Sequence, residues 1–140
     1  MLSTYAVSSA RAEDLWAVVS DVAAWPDRLP TFTSVVHVDE AAPIGPGSRF
    51  NVRQPGLPPT TYEVTEWTPG HGFTWVARSL GVTTTATHVV TSSDTGSRLD
   101  LTIRWDGPLA RPLELLLGRR AQRMIELEAT TLTRVAATAE

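Results

Sequence analysis

The sequence predicts an α+β domain: a curved antiparallel sheet of about seven strands wrapped around a long C-terminal helix, with two short helices after the first strand. Three observations carry this. Six β-rich stretches follow one another between residues 33 and 105, separated by short Gly/Pro or Asp/Gly turns. One helical pattern then runs from Pro108 to about Ala137 without a break. A chain of 140 residues with 42% apolar content is long enough to bury one core, and its composition does not change along the length, so residues 1–140 read as a single domain.

Taken in order, residues 2–7 alternate enough for a strand. Residues 10–19 read as a helix, with Ser9 as its cap, Glu13 and Asp14 in its first turn, and Leu15, Trp16, Val18, Val19 and Val22 as its buried face. The next stretch, SDVAAWPDRLP (20–30), stops that helix. A residue before proline is steered away from helical backbone, so Pro26 should hold Trp25 extended and Pro30 should do the same to Leu29. Strands follow at residues 33–40, 48–54, 60–67, 73–78, 82–92 and 97–105. The turns between them are APIGPG, PGLPP, PGHG and SDTG, with a less regular join after residue 78. At about 1.5 Å per residue the terminal helix would span roughly 45 Å.

Alternation assigns the inner face of the sheet. Leu99, Leu101, Ile103 and Trp105 point inward, and Val82, Thr84, Ala86, His88 and Val90 form the more apolar side of the strand before. A four-residue loop at Pro69–Gly72 would set Thr68 opposite Phe73 and Glu66 opposite Trp75. A turn at Thr95-Gly96 would set His88 opposite Ile103. The inner face then comprises Phe50, Val52, Tyr62, Val64, Phe73, Trp75, Ala86, Val90, Leu101, Ile103 and Trp105, interrupted only by Glu66 and His88. Leu109, Leu113, Leu116, Leu117, Met124, Leu127, Leu132 and Val135 of the helix should cover it, with Arg120, Ala121 and Glu128 close to the same stripe. Ala77, Thr84, Ala86 and Ala121 are too small to fill the middle, which predicts a cavity between sheet and helix.

Composition excludes several classes. The net charge is −3 and the 12 cations, all Arg, are scattered, which does not make a nucleic-acid surface. No stretch approaches the roughly 18 apolar residues of a membrane span. The first residues lack the basic and apolar regions of a signal peptide, and without cysteine there is no disulfide or thiolate metal site, so cytoplasmic residence is the expectation. No His/Asp/Glu cluster has metal-site spacing, and no nucleotide or nucleophile-elbow motif occurs, so neither metal nor cofactor is expected.

The stretches LWAVVSDVAAWPDRLP (15–30), YEVTEWTPGHGFTW (62–75), ATHVVTSSDTGSRLDLTIRWDGPLA (86–110) and IELEATTLTRVAA (125–137) resemble the START and polyketide-cyclase superfamily (SRPBCC), the first three in order and spacing. The resemblance covers essentially the whole chain and implies the helix-grip fold, with the two short helices at the mouth of the cavity. It departs from the family at Arg28, where a second aromatic often follows Trp25. It implies a hydrophobic or aromatic small-molecule partner (lipid, quinone or polyketide-like), bound by a monomer or homodimer.

The expected ligand-binding residues are Trp25, Phe50, Tyr62, Phe73, Trp75, His88, Trp105, Leu117, Arg120 and Met124. Trp25 would mainly plug the end of the core, with ligand contact as a by-product. The resemblance also allows a cyclase or dehydratase in which His88, with Tyr62 or Glu66, moves protons, although packing is the commoner fate of such a histidine or tyrosine. A third class is a protein-interaction module with an incidental cavity. Glu128 reads as a surface or edge residue paired with a neighbour.

Overall fold

In the computed structural model, which describes residues 1–138, the chain forms β1 (Leu2–Ser8), α1 (Ala12–Ser20), a 3₁₀ turn (Val22–Ala24), α2 (Trp25–Arg28), β2 (Ser34–His37), β3 (Arg49–Arg53), β4 (Thr60–Thr68), β5 (Gly72–Ser79), β6 (Val82–Ser93), β7 (Gly96–Asp106) and α3 (Ala110–Thr138). The seven strands make one antiparallel sheet in the order β1-β7-β6-β5-β4-β3-β2. Hairpins join β2 through β7 in sequence. β1 closes the β7 edge with Leu2 opposite Ile103 and Ser8 opposite Ser97. The predicted fold class holds, including both short helices.

The inner face is as the alternation gives it, with shifts in pairing. The β6–β7 turn is Asp94-Thr95, so Ser93 pairs with Gly96 and His88 lies opposite Leu101 rather than Ile103. The shift is two residues, which preserves every side chain's face. Gly96 adopts φ +150°, and a Cβ there would collide with the Ser8 carbonyl. Between β4 and β5 the outcome differs in kind. The register slips between Val64 and Glu66, so Val64 pairs with Trp75, Glu66 with Thr74 and Trp67 with Phe73. A bulge adds one residue to its strand and changes the facing beyond it. Thr65 and Glu66 are therefore both exposed, and Trp67 turns in to meet the ring of Trp16 at 5.3 Å.

The start of α1 is also corrected. Its cap is Arg11, in extended conformation and with no side-chain capping bond; Ser9 does not cap it. Residues 8–10 are committed elsewhere. The Ser8 hydroxyl donates to the Thr133 carbonyl at 2.8 Å and accepts the Ala10 N–H at 3.1 Å, while the Ser97 hydroxyl donates to the Ala10 carbonyl at 2.8 Å. The helix begins once the chain is clear of these ties. Leu15, Val18 and Val19 are buried as expected, and Trp16 is half-buried.

Trp25 departs from expectation as well: its backbone is helical (φ −55°, ψ −40°), while Leu29 is extended (φ −117°, ψ 119°). Pro26 sits in the first turn of α2, where a missing N–H costs nothing because that donor has no helical partner. Only Pro30 acts as a stop. The short helix drives Trp25 into the core, 1% exposed, with Phe32, Phe73, Trp75 and His88 rings 5.2–6.1 Å from its own and its Nε1–H donating to the Val19 carbonyl.

α3 divides into two halves. Ile125, Ala129, Leu132 and Ala136 are buried with α1 and the sheet. In the first half Leu113, Leu117, Ala121 and Met124 face the sheet without touching a continuous core. Leu109, Leu116 and Leu127 are exposed, not part of the covering stripe. The stripe that forms steps by three or four residues through 113, 117, 121, 124, 128 and 132, and Glu128 is on it.

Candidate ligand-binding site

A cavity of about 270 Å³ lies between the sheet and the first half of α3. Its far wall is Ala77, Thr84, Ile103 and Trp105; its near wall is Leu113, Leu117, Ala121 and Met124; its roof is the loop after β3, through Leu57, Pro58 and Pro59. The small side chains expected to leave space do so: Ala77, Thr84 and Ala121 line this cavity, and Ala86 lines a recess of about 50 Å³ adjoining it. Gln54, Tyr62, Ile103, Ile125 and Glu128 line both spaces.

The roof is tied to the helix by Arg120. Its Nη2 donates to the Pro55 carbonyl at 2.6 Å, and the guanidinium fills the place a Cβ would take on Gly56, whose φ is +75°. Arg120 is exposed and lines neither space, so it acts on the cavity from outside.

The remaining residues expected to contact ligand separate into two groups. Tyr62, Trp75 and His88 line the recess, and Tyr62, Trp105, Leu117 and Met124 line the main cavity. Trp25, Phe50 and Phe73 line neither; they are the aromatic packing behind the wall. Phe50 stacks on His37 at 4.7 Å and leans on Trp75 at 5.8 Å. Glu66 is exposed on the outer side of the sheet because of the bulge and lines neither space.

His88 is buried and stacked on Phe73 with ring centroids 4.1 Å apart, edge-on to Trp75 at 5.7 Å. Its Nδ1–H donates to the Phe73 carbonyl at 3.3 Å. Burial pushes its pKa down to about 4, against a smaller upward pull from that bond. The ring is neutral at pH 7, with Nε2 left as an acceptor.

Glu128, expected at the surface or an edge, is instead buried and lines both spaces. It is 7% exposed, and none of the ion pairs among the described residues includes it. Burial raises its carboxyl to about 8, slightly offset by the nearby Thr31 hydroxyl. That hydroxyl is itself buried and has no partner of proper hydrogen-bond geometry. Tyr62, stacked on Trp75 at 4.7 Å, is pushed up to about 12 by burial and by the negative charge Glu128 can carry. Gln54, also unanticipated, completes the polar end, and its amide donates to the carbonyl of Thr31 behind the lining at 3.2 Å. The one signal in the sequence was that Glu128 lies beside the apolar stripe of α3.

At neutral pH the site is thus a mostly apolar chamber whose polar groups, densest where it meets the recess, are uncharged or mostly so. Among the described residues no cluster of three or more His, Cys, Asp or Glu could hold a metal ion, and no helix is long and apolar enough to cross a membrane.

A sheet gripping a long helix around such a chamber defines the SRPBCC class of ligand-binding folds. The chain belongs to the polyketide cyclase / dehydrase and lipid transport family, whose model matches residues 2–140. It is similar in structure to TTHA0849 from Thermus thermophilus (TM-score 0.78, 16% identity, covering 99% of this chain and 98% of that one). It is also similar to norcoclaurine synthase from Thalictrum flavum in complex with dopamine and hydroxybenzaldehyde (TM-score 0.73, 18% identity, 99% and 87%). A third is the di-domain ARO/CYC StfQ from the steffimycin biosynthetic pathway (TM-score 0.68, 14% identity, 99% of this chain and 49% of that one). A search of curated protein sequences gives no significant match.

Proposed function

We propose that the protein binds a hydrophobic or aromatic small molecule between its sheet and α3. The observation that carries this is the cavity of about 270 Å³, whose lining is mostly apolar, with Thr60, Ser79 and Thr84 in its walls and Gln54, Tyr62 and Glu128 where it meets the recess. Pockets for small ligands have this make-up, apolar with a few placed polar groups. The family description, which includes lipid transport, points the same way. The absence of cysteine suits work in the cytoplasm. An interior open at its centre weighs against a protein-interaction module.

A cyclase or dehydratase is the second reading, and one observation favours it: Glu128 titrates near neutrality beside the Tyr62 hydroxyl. The proton carrier would then be Glu128. His88, with Nδ1 spent on Phe73 and a depressed pKa, is a weak base and no acid at pH 7.

Thermal unfolding in the presence of a panel of aromatic and aliphatic compounds tests the binding reading. Compounds that fit should raise Tm by several degrees at saturating concentration through mass action. A panel of lipids, quinones and polycyclic phenols that shifts nothing would refute it. Incubation of any binder followed by mass analysis separates carrier from enzyme, since only the enzyme returns an altered compound.

A further inference from the structure

We infer that the inner end of the cavity recognises a protonated amine borne on the apolar ligand, with the Glu128 carboxylate as its counter-ion. This rests on the ligand-binding reading above and adds the chemistry of the group that anchors the ligand.

Glu128 is held on α3 where the cavity and the recess meet, 7% exposed, and neither space is lined by any Arg or Lys. A buried carboxylate without a counter-charge is costly, so a charge partner, if there is one, must come with the ligand. The neighbouring groups specify its hydrogen bonding. His88 spends its N–H on the Phe73 carbonyl and presents Nε2 as an acceptor. Gln54 spends an N–H on the Thr31 carbonyl, which leaves its side-chain oxygen. The Thr31 hydroxyl, buried behind the lining, is directed at the Glu128 carboxyl itself. The acceptors left at this end are His88 Nε2, the Gln54 oxygen and, once ionised, the Glu128 carboxylate, beside the Tyr62 hydroxyl, which can donate or accept.

An ammonium group brings three N–H donors and a positive charge. A ligand hydroxyl brings one donor and a carbonyl brings none, and neither carries a charge to pair with the ionised carboxylate. A carboxylate ligand would meet no cation at all. The Tyr62–Trp75 ring stack that lines the recess adds aromatic surface of the kind cations favour.

Amine binding must also move a proton. Burial keeps most of the Glu128 carboxyl protonated at pH 7, and pairing with an ammonium requires the ionised form. The other groups facing it do not titrate in this range. Tyr62 ionises only near 12 and His88 only near 4, while Thr31 and Gln54 do not titrate. Affinity for an amine should accordingly rise between pH 6 and 8.

The test is isothermal titration at pH 7 with 2-(2-naphthyl)ethylamine and its neutral analogue 2-(2-naphthyl)ethanol, in two buffers of different ionisation enthalpy. The amine is expected to bind at least about tenfold tighter, a difference that is readily resolved. It should release close to one proton per molecule bound, and the alcohol none. Glu128→Gln should abolish both the preference and the proton release. The wild-type titrations decide the matter even if the variant folds poorly. Equal or tighter binding of the alcohol would overturn the inference and leave the cavity reading standing, as would an amine preference with no proton released. Binding of neither probe at millimolar concentration would count against the cavity reading itself.

Discussion

Replacing Glu128 by Gln should make the protein less sensitive to alkaline pH. In the native state burial raises the carboxyl from 4.5 to about 8, whereas in the unfolded chain it ionises near the ordinary value. Between these limits the native state holds a proton that the unfolded state has lost, so stability falls as pH rises. Evaluating the linkage at pH 6.5 and at pH 8 gives a loss of roughly 1.5–2 kcal/mol across that interval from this one group. For a chain of this size that corresponds to about 5 °C in Tm. Gln has nearly the same shape and no titration. Thermal or urea unfolding of both proteins at the two pH values isolates the effect, because the other titrating groups are common to both. The Tm advantage of Glu128→Gln should be about 5 °C larger at pH 8 than at pH 6.5. An advantage that does not change with pH would mean that Glu128 is ionised in the folded protein, by water or by an unrecognised partner, and would refute the reasoning.

Two other outcomes follow from the same packing. His88 carries a pKa lowered to about 4, so its contribution is complete above about 6.5 and is lost as pH falls through 4, by up to about 3 kcal/mol. An NMR titration should find its ring neutral down to pH 5, and His88→Phe should remove this acid dependence; titration near 6.5 would contradict the burial argument. Trp25→Ala should lower stability by about 3–5 kcal/mol, because a fully enclosed indole and its bond to the Val19 carbonyl are lost together. Urea unfolding that shows a loss below about 1 kcal/mol would place Trp25 at the mouth instead of in the core.

What could be read from the sequence, and what could not, follows the physics of each element. Alternation decides which side of a strand is buried, so Leu99, Leu101 and Val90 were assigned inward without knowledge of the turns. The exact partner depends on turn length, which is why His88 moved from Ile103 to Leu101 without changing face. A bulge leaves no mark in a hydrophobic pattern, and one extra residue in β4 was enough to send Glu66 out and bring Trp67 in. Trp25-Pro26 was misread because a proline blocks helix at the residue before it in general but is at home in a first helical turn. Glu128 was hidden for a different reason. Apolar periodicity marks a helix face by its hydrophobic residues, so a carboxyl on that face registers as a gap. Only the packed structure shows that the gap is where cavity and recess meet.

The central claim is that ligand occupies the space between α3 and the sheet. Native mass spectrometry of the wild-type protein and of Ala121→Trp, each incubated with the best binder from the thermal panel, tests it most directly. Ala121 lines the cavity from the helix, and an indole in its place would fill much of the volume. A one-to-one adduct on the wild type that is absent from folded Ala121→Trp is the predicted result. Equal adducts on both proteins would place the ligand elsewhere on the molecule and contradict the account.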